Sequence, residues 1–299
     1  MTINIDLPSA PAMGLDEFVA LADAAALDGP DSLVEIAPHF RALAGDPDLL
    51  AIRLNESLKR YVEGASMLTY TPQSIVLASG RNFYVRANIW TPLQLQGDFR
   101  SHEERVFSYR NTHDHNFDFM TIGYHGPGYE TDLYQYDPAT VEGHVGERVE
   151  LEPLGRETLY AGRIMVYRAK RDVHTQLPPP SLSISLNVML IDPEWSRRDQ
   201  YFFDAETGCI TGLPDIAAVH KRASVVAMLG HLANGDSLEL LHALLRDADC
   251  QRIREAAARA LAVAPGLGPG DRIAAIGRAL DDRSPVVRRT AAELLAEVR

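Results

Sequence analysis

His113 and His115 stand one residue apart at the start of NTHDHNFDFMTIGYHGPGYETDLYQYD, residues 111–137. In an extended chain residues i and i+2 point to the same side, so the two imidazoles face one way and Phe117 and Phe119 continue that face. Two imidazoles do not close a metal site. A third donor has to come from a neighbouring strand, and the candidate is His174 in AGRIMVYRAKRDVHTQLPPPSLSISLNV. A β-rich run leads up to it, and a Pro-rich turn and a further strand follow it. The two cysteines, Cys209 and Cys250, lie far apart in different kinds of sequence, which excludes a thiolate cluster and leaves histidine and carboxylate as donors.

The elements that must position these residues fall into three stretches. Over 14–63, GLDEFVALADAAALDG and DPDLLAIRLNESLKRYVEG repeat apolar residues every three or four positions, with Asp16 and Asp46 near plausible helix starts. From about Ser66 the chain changes to short runs rich in Val, Ile, Tyr and Phe: SIVLAS, NFYVRANIW, DFMTIGYH, TDLYQY, RIMVYRAK and SLSISLNVMLI. Gly, Pro and Asp separate them, so they read as antiparallel strands of a sandwich or small barrel through about Asp204. In the last stretch VHKRASVVAML at Val219, IREAAARALAV at Ile253 and VRRTAAELLAE at Val287 recur every 34 residues. Ala223, Ala257 and Ala291 take equivalent places, as do Val226, Ala260 and Leu294. A period in the thirties with Ala-rich amphipathic helices is the mark of stacked helical pairs, and residues 214–299 resemble HEAT-like repeats.

An H-x-H on one strand, a Gly-rich hairpin and a single His some sixty residues later resemble the cupin superfamily. The Glu that the family places four or five residues after the second His is absent; Phe119 and Met120 stand there. Asp118 is nearest, but at i+3 it faces away in a regular strand. That departure favours three histidines alone and a likeness to the cysteine-dioxygenase branch. The likeness implies helices before the barrel, His113, His115 and His174 as metal ligands, and Arg86 in NFYVRANIW as the candidate catalytic residue holding a substrate carboxylate. A strand arginine can equally pair with a barrel-surface carboxylate. Met120, Asn187 and Met189 stand where that branch has its crosslinking Cys, a His and its Tyr. Three neutral imidazoles suit Fe(II), accept other divalent metals as well, and leave positions open for substrate and O2. Lacking a carboxylate, the site keeps the full charge of the metal and favours an anionic ligand.

The expected fold class is therefore α+β: an N-terminal helical segment over 1–65, a cupin-type antiparallel β-barrel or sandwich over 66–205, and α-helical HEAT-like repeats over 214–299. The expected activity is that of a mononuclear non-heme Fe(II)-dependent oxygenase acting with O2 on a small amino- or carboxylate-bearing substrate. The other reading is a non-catalytic or regulatory cupin whose helical tail binds a protein partner or a second copy. The net charge of −12 argues against a nucleic-acid or anionic-membrane surface across the whole molecule. Residues 214–299 hold 12 Lys plus Arg against 11 Asp plus Glu, leaving 17 against 30 for 1–213. Acidic residues thus balance Arg252, Arg254, Arg259, Arg288 and Arg289, the basic residues that nucleic acid would need. No secretory signal or run of apolar residues long enough to span a bilayer is legible, so a cytoplasmic location is expected. His125 and His144 read as loop residues, His102 as charged-loop material, and His220, His231 and His242 as part of the helical tail.

Overall fold

A computed structural model describes residues 2–64, 71–214 and 218–298. The chain divides into two compact units, Met1–Pro138 with Glu150–Pro193, and Ala139–Val149 with Glu194–Arg299. The boundary expected between residues 65 and 66 lies outside the described residues, as do residues 1 and 299.

In the first unit β1 (Ile3–Asp6) precedes three helices, α1 (Leu15–Ala25), α2 (Pro30–Leu43) and α3 (Leu49–Val62). Strands β2 (Ser74–Ser79) and β3 (Phe83–Trp90) lead to a helix, α4 (Asp98–Val106). Then come β4 (Thr112–Asp114), β5 (Phe119–His125), β6 (Glu130–Gln135), β7 (Glu152–Thr158), β8 (Arg163–Tyr167), β9 (Asp172–Gln176) and β10 (Ser183–Leu190). One antiparallel sheet has the order β1-β8-β5-β10-β3-β2, and a second runs β4-β9-β6-β7. From β3 to β10 most successive strands change sheet, which is how a cupin-type barrel closes two layers around one interior.

The first sheet is buried on both faces, and its sequence shows why. Phe83, Val85 and Ala87 of β3, Met120 and Ile122 of β5, Ile164 and Val166 of β8 and Leu186 and Val188 of β10 share one core with Phe18, Leu33, Ile36 and Phe40 of the helices. The alternate residues, Trp90, Phe119, Met165, Tyr167 and Met189, meet Tyr109, Tyr129 and Leu133 in a separate aromatic cluster inside the barrel. Helices α1 and α2 thus cover the outer face, as the apolar periodicity over 14–63 requires. The hairpin after β5 turns through Gly126 and Gly128 at φ of 79° and 84°, backbone that a side chain would strain.

Strand β1 lies in the segment expected to be helical, and two further elements were not legible. The polar segment containing His102 is helix α4 rather than a loop; without an apolar stripe it offers no period to read, and Arg100–Glu104 at 3.4 Å links its successive turns. Strand β7, EPLGRET, carries Pro and Gly and pairs only with β6, so it reads as a loop.

In the second unit β11 (Phe202–Phe203) and β12 (Ile210–Gly212) form a hairpin. Backbone bonds from Gly146 N to Ile210 O, 2.8 Å, and from Val149 N to Gly208 O, 2.9 Å, tie segment 139–149 to it. Helices α5 (Ala218–Leu232), α6 (Gly235–Asp247), α7 (Gln251–Val263), α8 (Pro269–Arg278) and α9 (Pro285–Val298) follow. The 34-residue repeat maps onto α5, α7 and α9, with α6 and α8 between them. Ala257 and Ala291 are completely buried at their equivalent places. A Cβ on Gly230 would come within 2.6 Å of that of Ala260, so small residues set the close approach of α5 to α7.

Two of the arginines weighed as a basic surface are structural. Arg254 is buried, donates to both Asp282 carboxylate oxygens at 2.8 and 3.0 Å, and also reaches the carbonyls of Ala248 and Asp249. Arg252 binds Asp199 through Nε at 3.1 Å and Glu255 through Nη1 at 2.8 Å, and donates to the carbonyl of Gly143. Removing one partner of such a pair strands the other charge. Arg252→Met should therefore cost the second unit about 3–5 kcal/mol, and the double variant with Asp199→Leu should recover part of the loss. Denaturant titration followed by helical circular dichroism measures it; a cost below about 1 kcal/mol would place the pair among surface ion pairs.

Candidate metal centre

Three imidazoles converge on the barrel interior. His113 and His174 are direct register partners in the β4–β9 pair, and the hydroxyls of Thr112 and Thr175 meet beside them at 2.7 Å. Strand β4 ends at Asp114, so His115 lies just beyond it. Its carbonyl accepts from the Lys170 backbone N–H at 2.7 Å, which carries the alternation one residue further. Asp114 points the other way, fully buried, and takes the Tyr136 hydroxyl at 2.7 Å and the Lys170 ammonium at 3.4 Å. These bonds clamp the strand so that both histidines must turn inward.

The ring nitrogens face one another. His115 Nε2 lies 3.0 Å from His174 Nε2, which lies 3.2 Å from His113 Nε2. Nitrogens bound about 2.1 Å from one metal ion, 90–109° apart, stand roughly 3.0–3.4 Å from each other, so these two spacings fit a shared ion, and one ring nitrogen from each of the three histidines lies within 4.8 Å of the others. The protonation state fits as well. Burial lowers the pKa of His113, and burial together with the repulsion a second protonated imidazole would meet holds His115 and His174 well below the ordinary imidazole value. All three are therefore neutral near pH 7, the form that binds metal. Nδ1 of His113 donates to the Asn111 carbonyl at 2.8 Å, which leaves its Nε2 lone pair pointing inward. Nδ1 of His115 and of His174 are buried without a partner. At most one proton can sit between His174 and a neighbour, so unshared lone pairs remain crowded together unless a cation takes them.

Among the described residues these three form the one group of three or more His, Cys, Asp or Glu side chains placed to share an ion. Asp118, the next carboxylate after the histidine pair, is held by the Ala169 backbone N–H at 2.6 Å. Aromatic rings wall the group. Phe117 and Phe119 lie 5.0 and 4.7 Å from the His115 ring, Tyr167 lies 4.8 Å from that of His174, and Phe119 and Tyr167 stack at 4.6 Å.

Arg86 projects from β3 into the same interior. Its neighbours Val85 and Ala87 belong to the helix-facing core, so alternation turns Arg86 inward. Burial pushes its pKa down, and the nearby titratable groups acting on it are Tyr84 and Tyr129 rather than a carboxylate. Its charge also helps to depress the pKa of His115. Nε of Arg86 is buried without a partner. The surface ion pair that a strand arginine could form is not seen here.

The sequence reading passed over Asp114, Lys170 and Asn111 as supports. Only the i+1 position of Asp114 inside H-x-H hinted at a role, since it must point opposite to the histidines.

Residues 218–296 match the family model described as HEAT repeats. No curated protein matches the chain. Among solved structures, a hydroquinone 1,2-dioxygenase in complex with Cd2+ and 4-hydroxybenzonitrile is similar at 13% identity and a TM-score of 0.27, over 42% of this chain and 68% of that one. Another from Sphingomonas sp. TTNP3, with 4-hydroxybenzoate bound, is similar at 10% identity and a TM-score of 0.27, over 41% and 67%. A salicylate 1,2-dioxygenase from Pseudaminobacter salicylatoxidans is similar at 10% identity and a TM-score of 0.24, over 48% of this chain and 33% of that one. At these identities and scores the likeness carries neither substrate nor reaction to this chain. No described helix is long and apolar enough to cross a membrane. The chain thus joins antiparallel sheets around an aromatic interior to a C-terminal segment, residues 218–296, that matches the HEAT-repeat model.

Proposed function

We propose that the barrel binds one divalent metal ion, Fe(II) in the working protein, through Nε2 of His113, His115 and His174, and acts as an oxygenase on a small acid gripped by Arg86. The observation that supports this best is the meeting of three neutral imidazoles, two buried and one half-buried, with a half-buried guanidinium that has no carboxylate beside it. Bound there, the metal would supply open coordination positions for substrate and O2, the chemistry of non-heme iron oxygenation. The chain does the rest. Arg86 holds the substrate carboxylate next to the histidines and fixes its approach. Phe117, Phe119 and Tyr167 keep water away. Burial raises the pKa of Tyr129 and Tyr167, so both phenols stay protonated and uncharged in the interior.

The test is anaerobic loading with Fe(II), metal analysis, and O2 uptake with a panel of small amino, hydroxy and keto acids. Binding of about one iron per chain and acid-dependent O2 uptake that disappears on metal removal are expected. A protein that keeps its metal content when all three histidines are replaced would end the proposal.

A second reading makes the HEAT repeats the working part and the metal structural. Val225, Met228 and Leu232, exposed along one side of α5, favour it as a surface for a protein partner. Under that reading a metal-loaded protein takes up no O2 with any acid in the panel.

A further inference from the structure

We propose that Asn187, flanked by Thr121 and Asn88, is a second recognition point beside Arg86 and selects small acids that carry a further hydroxyl or amino group. The inference rests on the acid-binding reading above and adds what the rest of the substrate must look like. Strand β10 lies between β3 and β5, and in register Asn187 pairs with Arg86 on one side and with Thr121 on the other. Asn88 pairs with Ser185, one inward-facing step along the same strands. These four side chains therefore stand together on the interior face of the sheet, where Met189, Phe119 and Tyr167 are otherwise apolar neighbours.

All three uncharged side chains are deeply buried: Thr121 is 1% exposed, Asn187 3% and Asn88 6%. Each leaves a buried polar atom without a partner, namely Thr121 Oγ1, Asn187 Nδ2 and Asn88 Oδ1. Nearby polar groups on the same strand are satisfied: Ser185 Oγ accepts from Trp90 Nε1 at 3.0 Å, and Ser183 Oγ accepts from Gly128 N at 3.1 Å. Unmet atoms also occur on the second sheet, at Thr131 Oγ1 and Gln176 Oε1, but these three adjoin Arg86 on β3, β10 and β5. Buried polar atoms left unpaired work against folding, so a sheet face that keeps three of them is shaped for a ligand that pairs with them. An amide presents one donor and one acceptor in either orientation, and the threonine hydroxyl can do both. The complementary ligand has a carboxylate for Arg86 and, one or two bonds away, a group that both donates and accepts or that donates alone. A hydroxyl or an ammonium meets this description, whereas a methyl leaves the three atoms stranded.

Calorimetric titration of the Zn(II)-loaded protein with L-lactate, D-lactate, L-alanine and isobutyrate tests the proposal, because isobutyrate replaces the lactate hydroxyl by a methyl group. At least one of the first three should bind about tenfold or more tighter than isobutyrate, as in sites built to hydrogen-bond one substrate group. Asn187→Leu should bring that ratio to within about twofold, and the nearly isosteric Thr121→Val should lower it in the same direction if the leucine variant folds poorly. A wild-type protein that binds lactate and isobutyrate equally, and loses both with Arg86→Met, overturns the role of Asn187 and leaves the acid site standing. A ratio that survives both substitutions overturns it too. If none of the acids binds, the acid-site reading falls and this inference falls with it.

Discussion

His174→Ala should lower the affinity for Fe(II), and for Zn(II) as an oxygen-inert probe, by well over a hundredfold, because altering even the outer partners of a metal-bound histidine costs about 10–100-fold. His174 is the nitrogen that both others approach, at 3.0 Å from His115 and 3.2 Å from His113. Its loss leaves a pair on one side of the interior, and a pair does not cap an ion facially. The effect should also show in stability. An ion at about a hundred times its dissociation constant stabilises the folded chain by about 2.7 kcal/mol, so Zn(II) should raise the melting temperature of the wild-type protein and leave that of the variant unmoved. His125→Ala, on an exposed residue at the end of β5, should retain the full shift. A variant at position 174 that melts and titrates like the parent would remove the metal centre from this chain.

How far the sequence discloses such a site depends on how local its signals are. His113 and His115 could be placed on one face because alternation is a property of the extended backbone, and the rule survives even though β4 stops at Asp114. His174 could be paired with them only by supposing a particular strand neighbour, and the direct His113–His174 register is a long-range fact that no window of sequence contains. The helical repeats were plain, since alanines every 34 residues record the helix contacts themselves. By contrast, the assignment of residues 139–149 to the same unit as the repeats depends on bonds such as Ile210 N to Glu147 O at 2.8 Å, which leave no mark in composition. Helix α4 was hidden because a helix whose only apolar residues are Phe99 and Val106 has no stripe. The polar row beside Arg86 did have a signal. Ser183, Ser185 and Asn187 alternate with Ile184, Leu186 and Val188, a period of two that marks a polar inner face; read only as a departure from a family pattern, it went unused. The asparagine was informative in its own right.

Arg86→Met should produce two effects of opposite sign. Affinity for a small carboxylate should fall roughly a hundredfold, since a two-pronged guanidinium–carboxylate contact is made of charge-assisted hydrogen bonds, each contributing about 1.5–3 kcal/mol. The fold should become more stable, by up to about 1 kcal/mol, because a half-buried charge without a carboxylate gives way to a side chain suited to the aromatic cluster on the same face. Arg86→Lys separates charge from geometry: the positive charge stays, the planar fork goes, and affinity should lie between that of the parent and the methionine variant. Calorimetry with isobutyrate gives the first quantity and denaturant titration the second. A purely structural arginine predicts the reverse pattern, with stability lost on substitution and carboxylate affinity unchanged. The sign of the stability change therefore decides whether this arginine serves the fold or a ligand, before any substrate has been identified.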